Sequence, residues 1–240
     1  MWSDFFVRLL LAHVVGDFWG QTDSFCLAKQ ENGVRSWHSY VHAIIITLLS
    51  WLALGCWSYW WVALIIGASH WVVDLMKRED NFISFVIDQA LHVLILLLFS
   101  LVFVSIGVLG VSFWDGQNVM PIISMALVFI VCSKPANIVI RLILDFYSVN
   151  LTQCAECQVE NTEEDNKYLR SGKLIGTVER WLILIFMLAN QYEAIGFLIA
   201  AKSIIRYKEG AVSKTEYVLA GTLLSVFLAV VGGVLLKCLI

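Results

Sequence analysis

Runs of about twenty apolar residues recur along this chain, and inside a bilayer such runs satisfy their backbone polar groups as helices. The segments of this kind are 1–20, 36–55, 58–77, 82–106, 119–147, 173–190, 192–207 and 215–236. The joints between them are polar or contain glycine, as in "KREDN", "WDGQN" and "RYKEGAVSK". The expected fold class is all-α: a polytopic transmembrane helix bundle of about eight spans, within a range of six to eight because the first segment is polar and the seventh short. Composition agrees. Of 240 residues, 60% are hydrophobic and 15% charged, against ~45–50% and ~25% in soluble domains. A formal net charge of −3, with no Lys/Arg cluster, argues against nucleic acid as a partner. The N-terminal run "FFVRLLLAHVVGDFWG" lacks a basic leader and a small-residue cleavage site, so it reads as a first membrane helix rather than a signal.

Positive charge orients the expected bundle. Lys29 and Arg35, Lys77 and Arg78, Lys167, Arg170 and Lys173, and Arg206, Lys208 and Lys214 fall in or beside alternate joints. Basic joints stay cytoplasmic, which places both termini on the non-cytoplasmic side. The chain divides into a four-helix half, 1–115, that holds all five histidines, and a second membrane half, 116–240, with a cytoplasmic loop at 148–172. That loop contains "CAEC" (Cys154, Cys157), a single CxxC without the second pair of a structural zinc site.

The chemistry concentrates in the first half. His13 is followed by Asp17, His38 by His42, His70 by Asp74 and Asp88 by His92, each at i, i+4 and so on one helix face. With alternating helix directions, His13, His42, His70 and Asp88 reach a common level, roughly 10 Å in from the cytoplasmic helix ends. These four are the candidate metal ligands. Asp17, Asp74 and His38 form a shallower ring and His92 lies deeper. These four complete the shell or serve as general base, which makes them the catalytic candidates. Imidazole with carboxylate is the donor set of Zn, Mn or non-haem Fe, so the expected cofactor is a divalent metal. A metal-free proton relay and interhelical hydrogen bonding are the alternatives. Gln21, Gln89 and Lys77 continue the same stripes. In the second half, Arg141, Arg180, Lys202 and Arg206 are candidates for binding an anionic headgroup, with plain ion pairs (Arg141–Asp145, Glu179–Arg180) the alternative. Walker-type loops, GxSxG and HExxH are absent.

"LLLAHVVGDFWGQ", "WHSYVHA", "SHWVVDLMK" and "DQALH" resemble the integral-membrane bacterial family catalogued as domain of unknown function 3307, and "GKLIGTVERWLILI" and "QYEAIGFLIAAKSIIRYKE" are similar to its longer members. His-x-x-x-Asp in membrane helices also resembles membrane-bound metal-dependent hydrolases, without setting residue roles. The family resemblance implies a bacterial inner-membrane protein.

The residues lead to a metal-dependent intramembrane hydrolase acting on a lipid or lipid-linked phosphoester at the cytoplasmic leaflet. The alternatives are a proton- or cation-coupled transporter or channel using the same cluster, and a non-catalytic membrane anchor or sensor. Beyond lipid, the partners compatible with the sequence are a second copy of the chain and a membrane or cytoplasmic protein.

Overall fold

Helix is the one element these apolar runs form. The computed structural model describes residues 2–20, 37–76, 81–108, 110, 112–116, 118–147, 163–207 and 212–239, the side chains of 163–171, 205–207 and 212–218 excepted. Its elements are α1 (Trp2–Trp19), α2 (Trp37–Leu54), a short 3-10 turn (Trp57–Tyr59), α3 (Trp60–Met76), α4 (Phe82–Ser105), α5 (Val119–Val131), α6 (Lys134–Phe146), α7 (Glu163–Leu188), α8 (Tyr192–Tyr207) and α9 (Val212–Leu239). No strand occurs among the described residues. Gln21, Lys77, Cys154, Cys157 and the side chain of Arg206 lie outside the described residues.

Among the described residues, five stretches are long and apolar enough to cross a membrane: Trp37–Leu54, Trp57–Met76, Phe82–Ser105, Val119–Phe146 and Leu219–Leu239. The chain is a membrane protein on that composition. α1 carries Asp4, Arg8 and Asp17 within 18 residues, and α8 has 16 residues. The chain separates into two compact units, Met1–Ile130 and Val131–Leu239.

In the first unit, α1 packs on α2, α2 on α3, α3 on α4 and α4 on α1, which closes a four-helix ring. The stripes run opposite to those of a water-soluble bundle. His42, Ile46, Ser50 and Leu54 of α2 are buried, while Ile44, Leu48 and Leu52 face outward. On α4, Asp88, His92, Leu96 and Ser100 are buried and Leu94, Leu98 and Val102 are exposed. Apolar side chains meet lipid and polar ones meet each other, as expected where the solvent is hydrocarbon. Small residues let the backbones approach. A Cβ on Gly67 would lie 1.9 Å from Thr47 Oγ1 and 3.3 Å from the Ala43 carbonyl, so α3 nests on α2 one turn before His70.

One end of this ring is sealed. Phe5, Leu9, Leu54, Val62, Ala63, Ile66 and Leu96 form an apolar layer. Beyond it, the connection after α4 folds onto the helix ends. The Phe113 amide donates to the Gly55 carbonyl (2.9 Å) and Trp114 Nε1 to the Leu52 carbonyl (2.8 Å). Buried Arg8 donates to Asp115 Oδ1 at 2.7 Å. Partial burial acts to raise the Asp115 carboxyl, but the Arg8 and Ser112 hydrogen bonds and the Arg8 charge outweigh it and hold the group below its ordinary value.

In the second unit, α9 packs on α7 and α6, and α7 on α8. The apolar stretch 119–147, expected as one span, is not one helix: it breaks at Cys132–Ser133, where Ser133 leaves helical geometry (φ −96°, ψ −111°). Pro135 in the first turn of α6 explains the break, because its ring clashes with the preceding turn and it has no N–H to donate.

Candidate metal centre

Within the ring, α1 supplies His13 and Asp17, α2 His42, α3 His70 and Asp74, and α4 Asp88 and His92. Their side chains range from 1% exposed (His42) to 16% (Asp74). The four imidazoles touch: ring centroids are 5.2 Å apart for His13–His70, 5.0 Å for His13–His92, 5.1 Å for His42–His70 and 4.0 Å for His70–His92. His92 is in ring contact with His13 and His70, stacked on His70 at an interplanar angle of 17°.

The carboxylates interleave with these rings. Asp17 Oδ1 lies 3.0 Å from His70 Nε2 and 3.2 Å from His42 Nε2. Its other oxygen, Oδ2, is 3.7 Å from His13 Nε2. His92 Nε2 lies 3.5 Å from both Asp74 Oδ1 and Asp88 Oδ1, and Asp74 Oδ2 is 3.7 Å from His42 Nε2. Gln89 fastens the group by donating from Nε2 to Asp17 Oδ2 (3.1 Å) and to Asp88 Oδ2 (3.3 Å).

The donor set fits a divalent cation. Ligands about 2.0–2.1 Å from a tetrahedral zinc are separated by roughly 3.3 Å, and the distances above bracket that edge. Three sets of donor atoms each lie within 4.8 Å of one another: Asp17/His42/His70, Asp74/Asp88/His92 and His13/His70/His92. Buried polar atoms ordinarily find a hydrogen bond. Both ring nitrogens of His13, Nε2 of His92 and Oδ1 of Asp88 are buried and make none among the described residues. Three carboxylates sharing one buried space repel unless protons or cations balance them.

The geometry gathers His13, His42, His70 and Asp88, the expected ligands, together with Asp17, Asp74 and His92. It does not bring in His38. That ring packs on Trp37 with centroids 4.3 Å apart and belongs to none of the three donor sets among the described residues. The Gln89 clasp was not legible as such, although the polar residue beside Asp88 was.

The cationic candidates of the second half lie in the second unit. Arg180 is buried and engaged within the protein: Nε donates to the Cys132 carbonyl (2.5 Å), Nη1 to Ser225 Oγ (3.0 Å), and Nη2 to Asn137 Oδ1 (2.6 Å), Thr177 Oγ1 (3.1 Å) and the Ser133 carbonyl (3.3 Å). The guanidinium sits at the break between α5 and α6, held by the Cys132 and Ser133 carbonyls and Asn137, so it is a clasp on that break rather than a free headgroup binder. Lys202 pairs with Glu179, which displaces the expected Glu179–Arg180 pair. Arg141 is exposed and makes no ion pair with Asp145 among the described residues.

No curated protein and no solved structure matches the chain. A family model described as "Protein of unknown function (DUF3307)" matches residues 5–117. The match ends before α5, so it does not extend to the similarity seen in "GKLIGTVERWLILI" and beyond. The matched segment holds every side chain of the His/Asp cluster and the Arg8–Asp115 lock, so it is this part of the chain that is similar to that family.

Proposed function

We propose that the protein is a metal-dependent hydrolase of the bacterial inner membrane, acting on a lipid or lipid-linked phosphoester at the cytoplasmic leaflet. It would span the membrane about eight times with both termini outside. The observation that carries this reading is the convergence of Asp17 Oδ1 on His70 Nε2 and His42 Nε2, three donors from three helices inside an apolar bundle. A divalent cation held there by Asp17, His42 and His70 would lower the pKa of water and polarise a phosphoryl oxygen. His13 would take the proton from that water. Its Nε2 lies 3.7 Å from Asp17 Oδ2, and neither of its ring nitrogens is hydrogen-bonded among the described residues. A cavity of about 10 Å³, the size of one water, is lined by His13, His70 and His92 with Ser50 and Ser69. The apolar layer beyond this cavity supports hydrolysis over conduction, since an ion path needs polar groups to the far side.

The test is turnover. The full chain in nanodiscs, with Mn²⁺ or Zn²⁺, is offered phosphatidic acid and a polyprenyl phosphoester, and products are read by mass spectrometry. Conversion of phosphatidic acid to diacylglycerol and inorganic phosphate, or of the polyprenyl phosphoester to the free polyprenol and its phosphate, lost on chelation and in His70→Ala, is the expected result. Metal-loaded protein that turns over neither substrate, yet carries a cation flux in liposomes, overturns it in favour of transport.

A further inference from the structure

Asp74 faces two ways. Its Oδ1 is 3.5 Å from His92 Nε2, and its Oδ2 is 3.7 Å from His42 Nε2, which belongs to the Asp17/His42/His70 set. On the far side of Asp74, Asp88 Oδ1 and His92 Nε2 stand 3.5 Å apart, both buried and neither hydrogen-bonded among the described residues. A carboxylate oxygen and a lone-pair nitrogen repel at that distance unless a proton or a cation lies between them. Gln89 holds Asp88 and Asp17 by their Oδ2 atoms, which leaves Oδ1 of Asp88 turned towards His92 and Oδ1 of Asp17 towards His70 and His42.

We infer that the cluster takes two divalent cations, the second held by Asp74, Asp88 and His92, with Asp74 as the bridging carboxylate. The two donor sets share no residue. A carboxylate that gives one oxygen to each cation suits the ~3.5–4 Å spacing of two-metal phosphoester sites. The inference rests on the hydrolase reading for its substrate class: paired cations clamp both the attacking and the leaving oxygen of a phosphoester, which a single cation does not. Gln89 is a positioning residue for both sets at once.

The probe is manganese alone. The full chain in detergent is stripped with chelator, reloaded with Mn²⁺, freed of excess by gel filtration, and measured by elemental analysis and electron paramagnetic resonance. The expected result is about two Mn²⁺ per chain with the spectrum of an exchange-coupled pair. Asp88→Asn and His92→Gln should each leave about one uncoupled Mn²⁺, with the elution profile of the parent. Wild-type stoichiometry needs neither variant, and each variant stands in for the other if one fails to fold. One uncoupled Mn²⁺ in the wild type overturns the second site and leaves a single-cation hydrolase intact. No bound metal overturns both readings. Two coupled ions that persist in both variants overturn this assignment of ligands. Two coupled ions in the wild type without turnover of phosphoester leave the paired site standing and remove the hydrolase.

Discussion

Asp17 Oδ1 lies 3.0 Å from His70 Nε2, a contact between residues 53 positions apart in the chain. It joins the first helix of the ring to the third, and the same oxygen reaches His42 on the helix between them. Three helices are thus tied through one atom, and whatever balances that atom's charge also holds the bundle together.

Chelation is accordingly expected to destabilise the fold. If a cation binds the folded chain alone, free metal at a hundred times its dissociation constant adds about 2.7 kcal/mol. Thermal unfolding in detergent, followed by intrinsic tryptophan fluorescence, should shift down by roughly 5–10 °C when metal is removed. An unchanged midpoint would separate the cluster from cation binding.

Gln89→Leu removes the clasp on Asp17 and Asp88 while preserving bulk. Partners that orient ligands typically contribute 10–100-fold to metal affinity, so Mn²⁺ binding measured by calorimetry should weaken by about that factor. Gln89→Glu, which adds a fourth carboxylate beside Asp17 and Asp88, should weaken metal-free folding while retaining tight binding.

The four i, i+4 pairs made most of this site readable, because the spacing fixes a shared helix face and alternating helix directions fix the depth. His38 shows the limit of that logic. It shares a face with His42, yet its ring packs on Trp37 and joins none of the three donor sets among the described residues. Arg8 and Asp115 were not legible as partners, since 107 residues separate them and no local pattern links them. Arg180 was misread as a headgroup binder because its acceptors exist only after the helix breaks at Cys132–Ser133. Pro135 in the middle of an apolar run was the available signal for that break.

Arg180→Leu should therefore act on stability rather than on lipid affinity. It strands the Cys132 carbonyl and Asn137 Oδ1, at a cost of about 2 kcal/mol or more. Arg180→Lys should recover part of the loss, because an ammonium cannot reproduce the planar fork. The unfolding midpoint in an SDS titration reads both. A variant of full stability with weakened binding to anionic vesicles would restore the headgroup role.

The Arg8–Asp115 lock gives a pH dependence of known sign. The Asp115 carboxyl titrates lower in the folded chain than in an unfolded one, where it ionises near ~3.9. Its contribution is present above that value and lost as pH falls through the lower folded one. The protection factors of the amides of 112–116, with exchange corrected for its intrinsic pH dependence, should hold from neutral pH down to about 4 and fall below it. In Asp115→Asn they should be lower throughout and flat across that range.

None of the four cluster-bearing helices holds more than two of the seven donor side chains. An ionised acid at mid-membrane adds about 2.5–3.5 kcal/mol to the insertion of a single helix, a burden that a long apolar run still absorbs. Helices α2, α3 and α4, each long and apolar enough to cross a membrane, are thus able to enter the bilayer singly, each carrying an incomplete share of the cluster. The full set of seven donors comes together only once all four helices have docked, so a chain that lacks one of them holds a depleted cluster.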